Sequence, residues 1–203
     1  FKKLVPPAKP TGNVVANQKT NNDPIATLTD GKLARGFGPI FGNGVKDGLY
    51  KMDLGKSQSI AAITSWSHQM SGKRGAQSVL IYGSNHPTDP GWNLADPKRF
   101  QALGKVSTKG NKIKSFTALS LRSAKKNSLG RFRWIVWQVA PISSIQENTA
   151  FQELAVEFSN EKTEVTPYAL TANGTTLAAP ATLNLDPKGI TMLAPNLGKL
   201  SAG

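Results

Sequence analysis

The residues of this sequence that could perform chemistry are few and widely spaced. The chain has two histidines, His68 and His86, and no cysteine, which excludes disulfides, thiolate metal sites and cysteine nucleophiles. A catalytic zinc ion usually needs three protein ligands, often histidines, and no such spacing is present. The twelve Asp and Glu residues include no close pair in an aromatic-rich loop, so the acid–base pair of a glycosidase is not visible. We therefore predict that the protein is not an enzyme.

Binding has better candidates than catalysis. Trp92 lies in the turn-rich loop Pro87 to Asn93, where an aromatic ring can either stack on a sugar or seal the end of a domain. Arg35 and Arg74 lie in two further glycine-containing loops. His68 lies in the polar stretch 65–75, as a plain loop residue or as a ligand contact. If these loops converge, they form a small site of one aromatic ring and two cations.

The net charge is +13 and it is unevenly distributed. The segment from Lys98 to Arg133 contains eleven Lys or Arg and no Asp or Glu. Such a segment is either a solubilising surface or a face for a polyanion, such as an acidic polysaccharide or an anionic lipid. Phenylalanines interleave with the basic residues, but no nucleic-acid motif accompanies them, so we do not expect a nucleic-acid partner. No apolar run approaches the length of a membrane span.

The segments that would position these residues are predicted to be β-strands. Apolar or alternating runs occur over 59–66, 78–82, 131–139 and 150–158. The run 131–139 is apolar on both faces at its centre, as a central strand would be. Short strands between Gly-, Asn- and Pro-rich loops favour an antiparallel β-sandwich. Its predicted buried residues are Trp134, Ile135, Val136, Leu154 and Val156, with Trp66 and Trp137 also assigned to core packing.

Composition divides the chain into three parts. Residues 1–24 hold Pro6, Pro7 and Pro10 and a polar run, which is typical of an extended N-terminal arm. Residues 25–160 carry all four tryptophans and form the predicted sandwich. Residues 161–203 are rich in Thr, Ala, Asn, Leu and Pro, and prolines disfavour a long helix there. We expect an extended C-terminal tail that packs on its own sandwich or on a neighbouring one.

Five phrases of the sequence occur in a fixed order: Leu28 to Lys32, Tyr50 to Ile63, Ser78 to Asn85, Leu129 to Ile135 and Phe151 to Val156. Together they resemble discoidin domains, also called coagulation-factor C-type domains, and the related family 32 carbohydrate-binding modules. The resemblance covers roughly residues 25–158. It implies a galactose-binding-like jelly roll with ligand loops at one end. The ligand itself does not follow from the fold, because the loops vary freely.

The same resemblance implies a structural calcium ion. Many relatives bind calcium through the aspartate of the early Asp-Gly turn and a glutamate in the last strand, together with backbone carbonyls. The matching positions here are Asp30 and Glu153. Calcium takes oxygen ligands of this kind. The alternative is that Asp30 only caps a turn and that Glu153 faces solvent.

Two functions remain open. The first is a non-catalytic, extracellular or cell-surface module that binds a carbohydrate, with an acidic glycan favoured by the basic segment. The second is a structural subunit of an extracellular fibre, sheath or surface layer. Such a subunit would form a homo-oligomer or filament through its terminal extensions, by strand addition between copies.

Overall fold

The computed structural model of the protein describes residues 4–33, 37–42, 44–45, 47–70, 75–108, 114–123, 128–139, 150–159, 170–172, 175–177 and 181–184. The described residues form β-strands and one short 3₁₀-helix at Ile25–Thr29. The strands are β1 (Asn13–Ala16), β2 (Thr20–Asn22), β3 (Pro39–Phe41), β4 (Gly48–Met70), β5 (Ser78–Ser84), β6 (Gln101–Ser107), β7 (Lys114–Arg122), β8 (Arg131–Val139), β9 (Phe151–Phe158), β10 (Leu170–Ala172), β11 (Thr175–Leu177) and β12 (Ala181–Asn184). The predicted all-β class and antiparallel β-sandwich are confirmed.

Strand β4 belongs to both layers of the sandwich. Its first half pairs antiparallel with β1 on one side and with β8 on the other. Its second half pairs antiparallel with β7 and β9. The register shifts between Asp53 and Gln58, and such an irregularity bends a strand. The main sheet therefore runs β1-β4-β8-β5-β6-β12, and the small sheet runs β7-β4-β9.

The strand directions define two ends of the sandwich. Ser84 of β5 pairs with Trp134, and Val79 pairs with Val139. We call these two ends the Ser84 end and the Val139 end. The loop 85–100 leaves the main sheet at the Ser84 end, whereas Gly75, which precedes β5, lies at the Val139 end.

The core fills the space between the two sheets. The main sheet contributes Tyr50, Met52, Val79, Ile81, Ile135, Trp137 and Val139, and the small sheet contributes Ile63, Leu119, Leu121, Phe151, Leu154 and Val156. Along each strand these residues alternate with residues of the outer face, as the pleat requires. The five residues predicted to be buried are all buried.

Two of the predicted core tryptophans are buried outside this main core. Trp66 packs with Ala118 and Ala155 on the outer face of the small sheet, where Leu4 and Leu33 cover it. Trp134 lies on the outer face of the main sheet, under the loop 85–100, while its neighbour Ile135 points into the core. Sequence patterns report burial but not which side of the sheet provides it.

Both terminal segments contribute strands. From the segment predicted as an arm, β1 joins the edge of the main sheet and β2 pairs with β3. In the tail, β10 and β11 form a hairpin and β12 pairs in parallel with β6. No helix with the length and hydropathy of a membrane span occurs in the described part of the chain.

We expect the substitution Trp137→Ala to lower the free energy of unfolding by about 3–5 kcal/mol, because it leaves a large cavity in the core. Trp137 is fully buried in the main cluster. A matched control is Phe158→Ala at the end of β9, whose side chain is 39% exposed and should cost under about 1 kcal/mol. Urea denaturation of both variants measures the difference, and equal costs would contradict this assignment of the core.

Candidate functional site

The loop 85–100, which we call the Trp92 loop, has a defined path without strands or helices of its own. Three side chains fold it locally by accepting a backbone N–H two residues on. Asp89 accepts from Gly91 at 2.8 Å, Asn93 from Ala95 at 3.3 Å and Asp96 from Lys98 at 3.0 Å. Such side-chain turns are the reason that Asp and Asn favour loops.

Side chains of the main sheet hold the Trp92 loop in place from below. The Trp134 indole N–H donates to the carbonyl of His86 at 2.9 Å. The Arg133 guanidinium donates to the carbonyl of Pro87. The Lys51 ammonium donates to the carbonyl of Gly91 at 3.3 Å. These three contacts come from β8 and β4, so the loop is ordered before any ligand arrives.

Lys51 lies at the centre of this arrangement and its side chain is only 1% exposed. Its ammonium pairs with the carboxylate of Asp89. It also stands 3.9 Å from the ring centroid of Trp92 and 5.5 Å from that of Trp134. A buried charge must be paired, and an aromatic face attracts a cation further when water is excluded. Lys51 therefore fixes one face of the Trp92 ring.

A second ion pair lies beside the first. Arg133 donates two hydrogen bonds to the carboxylate of Asp53, at 2.9 and 3.0 Å. Its guanidinium carbon is also 4.7 Å from the ring centroid of Trp134. Paired donation of this kind is directional as well as strong. It orients Arg133 toward the Trp92 loop.

Both aspartates of the site are held in their ionised form. The hydrogen bonds from Arg133 lower the pKa of the Asp53 carboxyl, against the opposing effect of its partial burial. Burial acts to raise the pKa of the Asp89 carboxyl, but hydrogen bonds from Lys51 and from the Gly91 amide outweigh it and leave that pKa below its usual value. Neither carboxyl can hold a proton at neutral pH, so neither can serve as a general acid.

The floor of the site is apolar. Leu49, Phe100 and Val136 form a small buried cluster on the outer face of the main sheet, and Tyr82, Trp92 and Leu94 pack against it. Trp92 thus seals this face of the sheet, which is one of the two roles considered for it. Its ring is half-buried, so part of it still faces solvent.

Of the four sequence candidates for the ligand site, the structure describes Trp92 and His68, and these two lie on different sheets. Arg35 and Arg74 lie outside the described residues. His68 belongs to the small sheet, where it pairs with Phe116 of β7.

The assignment of His68 to a polar loop is wrong, because β4 continues through Met70. The inward-facing Ser65 and Ser67 are polar yet fully paired: Ser65 donates to Gln77 and Ser67 donates to the carbonyl of Gly75, each at 2.5 Å. The sequence looked like a loop because these inward positions are not apolar. The half-buried His68 ring packs on Phe116, with ring centroids 4.9 Å apart.

The carboxylate pair of Asp30 and Glu153 lies on the outer face of the small sheet. Glu153 is 0% exposed, so it does not face solvent. Its Oε2 accepts the Gly31 N–H at 3.0 Å, while its Oε1 is buried without a hydrogen-bond partner among the described residues. Burial, with a smaller contribution from the nearby charge of Asp30, raises the pKa of the Glu153 carboxyl to about 8.

This pocket fits a calcium ion in its donor chemistry. It offers one buried carboxylate oxygen without a hydrogen-bond partner among the described residues, beside the carboxylate of Asp30, and calcium accepts oxygen ligands of this kind. No group of three or more His, Cys, Asp or Glu residues that could hold a metal ion occurs within the described ranges. Asp30 and Glu153 are the residues that would hold the ion, and its chemistry there would be structural.

Sequence reasoning missed Lys51, Asp53, Asp89 and Arg133. Lys51 and Asp53 alternate with Tyr50 and Met52, which is the pattern of a solvent-facing edge. A signal was available in the loop: Asp89 and Gly91 flank Pro90 before Trp92, a pattern that predicts a tight turn. Nothing in the pattern says that this turn folds over Lys51.

No family model and no curated protein matches the chain. Solved structures similar to it include the family 32 carbohydrate-binding module of NanJ from C. perfringens in complex with galactose, with 11% identity, coverage of 71% of this chain and 91% of the module, and a TM-score of 0.49. The lectin domain of lectinolysin, complexed with Lewis B antigen, has 11% identity, coverage of 73% and 94%, and a TM-score of 0.49. The family 32 module of AlyQ, in complex with 4,5-unsaturated mannuronic acid, has 14% identity, coverage of 71% and 93%, and a TM-score of 0.47. At these values the likeness concerns architecture, and what each protein binds is a property of that protein.

We expect acid to release the Trp92 loop. Because the pKa values of Asp53 and Asp89 are lowered in the folded state, their ion pairs stabilise the protein above the ordinary aspartate pKa. That contribution is lost as the pH falls through the lowered values. The protection factors of the backbone amides in residues 85–100, which are corrected for the intrinsic pH dependence of exchange, should therefore fall at acid pH before those of the core.

The variant Asp89→Asn should show the faster exchange already at neutral pH, because it leaves Lys51 without its anionic partner. Asp23→Asn is the matched control, since Asp23 is exposed and lies outside the site. Unchanged protection of the loop in Asp89→Asn would show that the ion pair does not hold it.

Proposed function

We propose that this protein is a non-catalytic carbohydrate-binding module and that the Trp92 loop carries its ligand-binding surface. The observation that supports this most is the state of the Trp92 ring. One of its faces is fixed by a buried ammonium ion, while the residue remains half-exposed on a loop held to the sheet. A rigid aromatic ring offers a stacking surface at little cost in conformational entropy. Asp89 and Asn93, both exposed, supply polar groups at its rim for sugar hydroxyls.

The absence of catalysis is part of the proposal. Asp53 and Asp89 are engaged by Arg133 and Lys51 and stay ionised. Glu153 has the raised pKa of a general acid, but its side chain has no exposed surface. Glycoside hydrolysis needs a protonated and an ionised carboxyl on either side of one bond. No such pair is accessible among the described residues.

An acidic glycan is the favoured ligand class, and an extracellular or cell-surface location follows from that choice. Arg99, Arg122 and Arg133 of the basic segment form ion pairs with acidic residues of the chain. Lys98 and Lys105 are exposed, and no ion pair of either occurs within the described ranges. These lysines keep their charge available to an external anion.

A glycan array tests the proposal. The wild-type protein should bind a subset of glycans, and Trp92→Ala should weaken that binding by about tenfold or more, which corresponds to ~1.4 kcal/mol of lost stacking. Phe158→Ala, which removes an exposed aromatic ring elsewhere, is the control and should bind normally. A folded wild-type protein that binds no glycan would refute the module.

The acidic preference has its own measurement. Affinity for a uronate- or sulfate-bearing glycan should fall as salt is raised, because exposed charges are screened within about 8–10 Å at physiological ionic strength. Affinity that does not change with salt, or equal binding of neutral glycans, would remove the acidic preference and leave the carbohydrate module standing.

We propose further that Asp30 and Glu153 bind a structural calcium ion. The support is the buried, unpaired Oε1 of Glu153 beside the Asp30-Gly31 turn. An ion bound only by the folded state raises stability by mass action, by about 2.7 kcal/mol at a concentration of 100 times its Kd.

The variant Glu153→Gln separates calcium binding from simple packing. Without calcium, Glu153 is protonated at neutral pH because of its pKa of about 8, so glutamine should be a close substitute and the two proteins should melt at similar temperatures in EGTA. Added calcium should raise the Tm of the wild type alone. An equal response, or none in either protein, would argue against the site.

The second candidate function is a structural subunit. The support is β12, which pairs in parallel with β6 at the end of the main sheet, a mode of contact that a neighbouring copy could also provide. Truncation after Asn160 would then convert an assembly into a folded monomer. A full-length protein that is monomeric at every concentration would exclude this function.

A further inference from the structure

The outer face of the main sheet is only partly covered by the Trp92 loop. Lys51, Trp134 and Val136 lie beneath the loop and are buried. Toward the Val139 end, the same face carries Ser78, Leu80, Tyr82, Lys105 and Gln138, all half-exposed or exposed. Along β5 the exposed and buried positions alternate strictly through Gly83, so this is one continuous face of the sheet.

Tyr82 continues the aromatic surface that Trp92 begins. Both rings pack against the cluster of Leu49, Phe100 and Val136. Val136 of β8 pairs with Lys51 of β4 on one side and with Tyr82 of β5 on the other. Tyr82 is therefore two strand spacings, or ~10 Å, from Lys51, the residue that supports Trp92. A short oligosaccharide spans that separation, whereas one sugar ring does not.

The polar groups beside Tyr82 suit a sugar chain. The Tyr82 hydroxyl lies 3.3 Å from the amide oxygen of Gln138, and both side chains remain half-exposed. Tyr82 and Gln138 thus offer an apolar ring with donors and acceptors at its edge. This combination suits sugars, which present apolar C–H faces and a rim of hydroxyls.

The charge of the uncovered face is entirely positive. Strands β5, β6 and β8 contain no Asp or Glu. Lys105 of β6 is exposed and pairs with Leu80 of β5, which lies two residues before Tyr82 on the same face of that strand. An anionic group passing Tyr82 would therefore meet an ammonium and no opposing carboxylate of these strands.

We propose that the ligand is an extended acidic glycan chain that stacks on Trp92, continues across the outer face of the main sheet to stack on Tyr82, and pairs an anionic group with Lys105. This inference rests on the proposed carbohydrate-binding function and adds a second contact and a chain-binding mode to it. A single terminal sugar would use the Trp92 loop alone.

A glycan array that varies the length of the sugar chain tests this chain-binding mode. The array carries uronate- or sulfate-bearing glycans and neutral glycans, each as the monosaccharide and as longer chains. Wild-type affinity should rise from the shortest to the longer acidic chains. Tyr82→Ala should weaken binding of the longer chains by about threefold to tenfold, the value of an aromatic contact of 0.5–1.5 kcal/mol, and leave binding of the shortest ones unchanged. Trp92→Ala should weaken both.

Lys105→Ser keeps the test independent of packing, because the Lys105 side chain is exposed. It should weaken binding of long acidic chains more than Lys19→Ser, a matched loss of one exposed positive charge elsewhere. Glycan binding that depends on Trp92 but not on chain length, Tyr82 or Lys105 would overturn this inference and leave the proposed function intact. If no glycan binds at all, the proposed function fails, and this inference fails with it.

Discussion

The fold depends on one strand that serves two sheets. β4 runs through Gly48–Met70, and its pairing passes from β1 and β8 to β7 and β9 at the irregularity between Asp53 and Gln58. Its inward residues, among them Tyr50, Met52, Ile60 and Ile63, form the centre of the core. Because side chains alternate along a strand, the outward residues of the same strand then need separate cover, and the two covers are the most distinctive parts of the molecule.

The two covers use different physical chemistry. On the small sheet, Leu4 and Leu33 lie over Trp66, whose indole N–H donates to the carbonyl of Leu4 at 3.3 Å. On the main sheet, the Trp92 loop covers Lys51, and a buried ammonium requires an anion, carbonyls and aromatic faces in place of a purely apolar lid. The loop that satisfies Lys51 is consequently rigid and carries charge and an aromatic ring at the surface, which are the properties of a binding site.

The carboxyl groups show how strongly the surroundings decide their chemistry. Asp53 and Asp89 meet cations at the edge of solvent, and their pKa values fall. Glu153 is enclosed beside the Asp30-Gly31 turn, whose backbone N–H groups only partly offset the effect of burial, and its pKa rises to about 8. The first two therefore act as fixed anionic anchors for the Trp92 loop. Glu153 is neutral unless a cation joins it, and for this reason we propose it as a calcium ligand.

Local pattern determined much of this architecture. Apolar or alternating residue patterns predicted strands over 59–66, 78–82, 131–139 and 150–158. Each of these segments lies within a strand of the structure or nearly coincides with one. The turn residues of Pro87–Asn93 likewise predicted a loop. His68 was misplaced because inward-facing Ser65 and Ser67 break the apolar alternation. Their hydrogen bonds go to Gln77 and Gly75 in the segment before β5, and the strand pattern does not reveal these contacts.

What the tertiary structure alone decided is which residues meet. Lys51 and Asp89 are separated by 38 residues, and Asp53 and Arg133 by 80. No local sequence pattern therefore predicts either ion pair. A lysine that alternates with apolar residues is read as solvent-facing, and it becomes buried only because a loop from another strand folds over it. The sequence by itself determined the strands and the turn that carries Trp92. The path of one loop across the sheet determined the site, because burial and charge pairing are properties of the assembled surfaces.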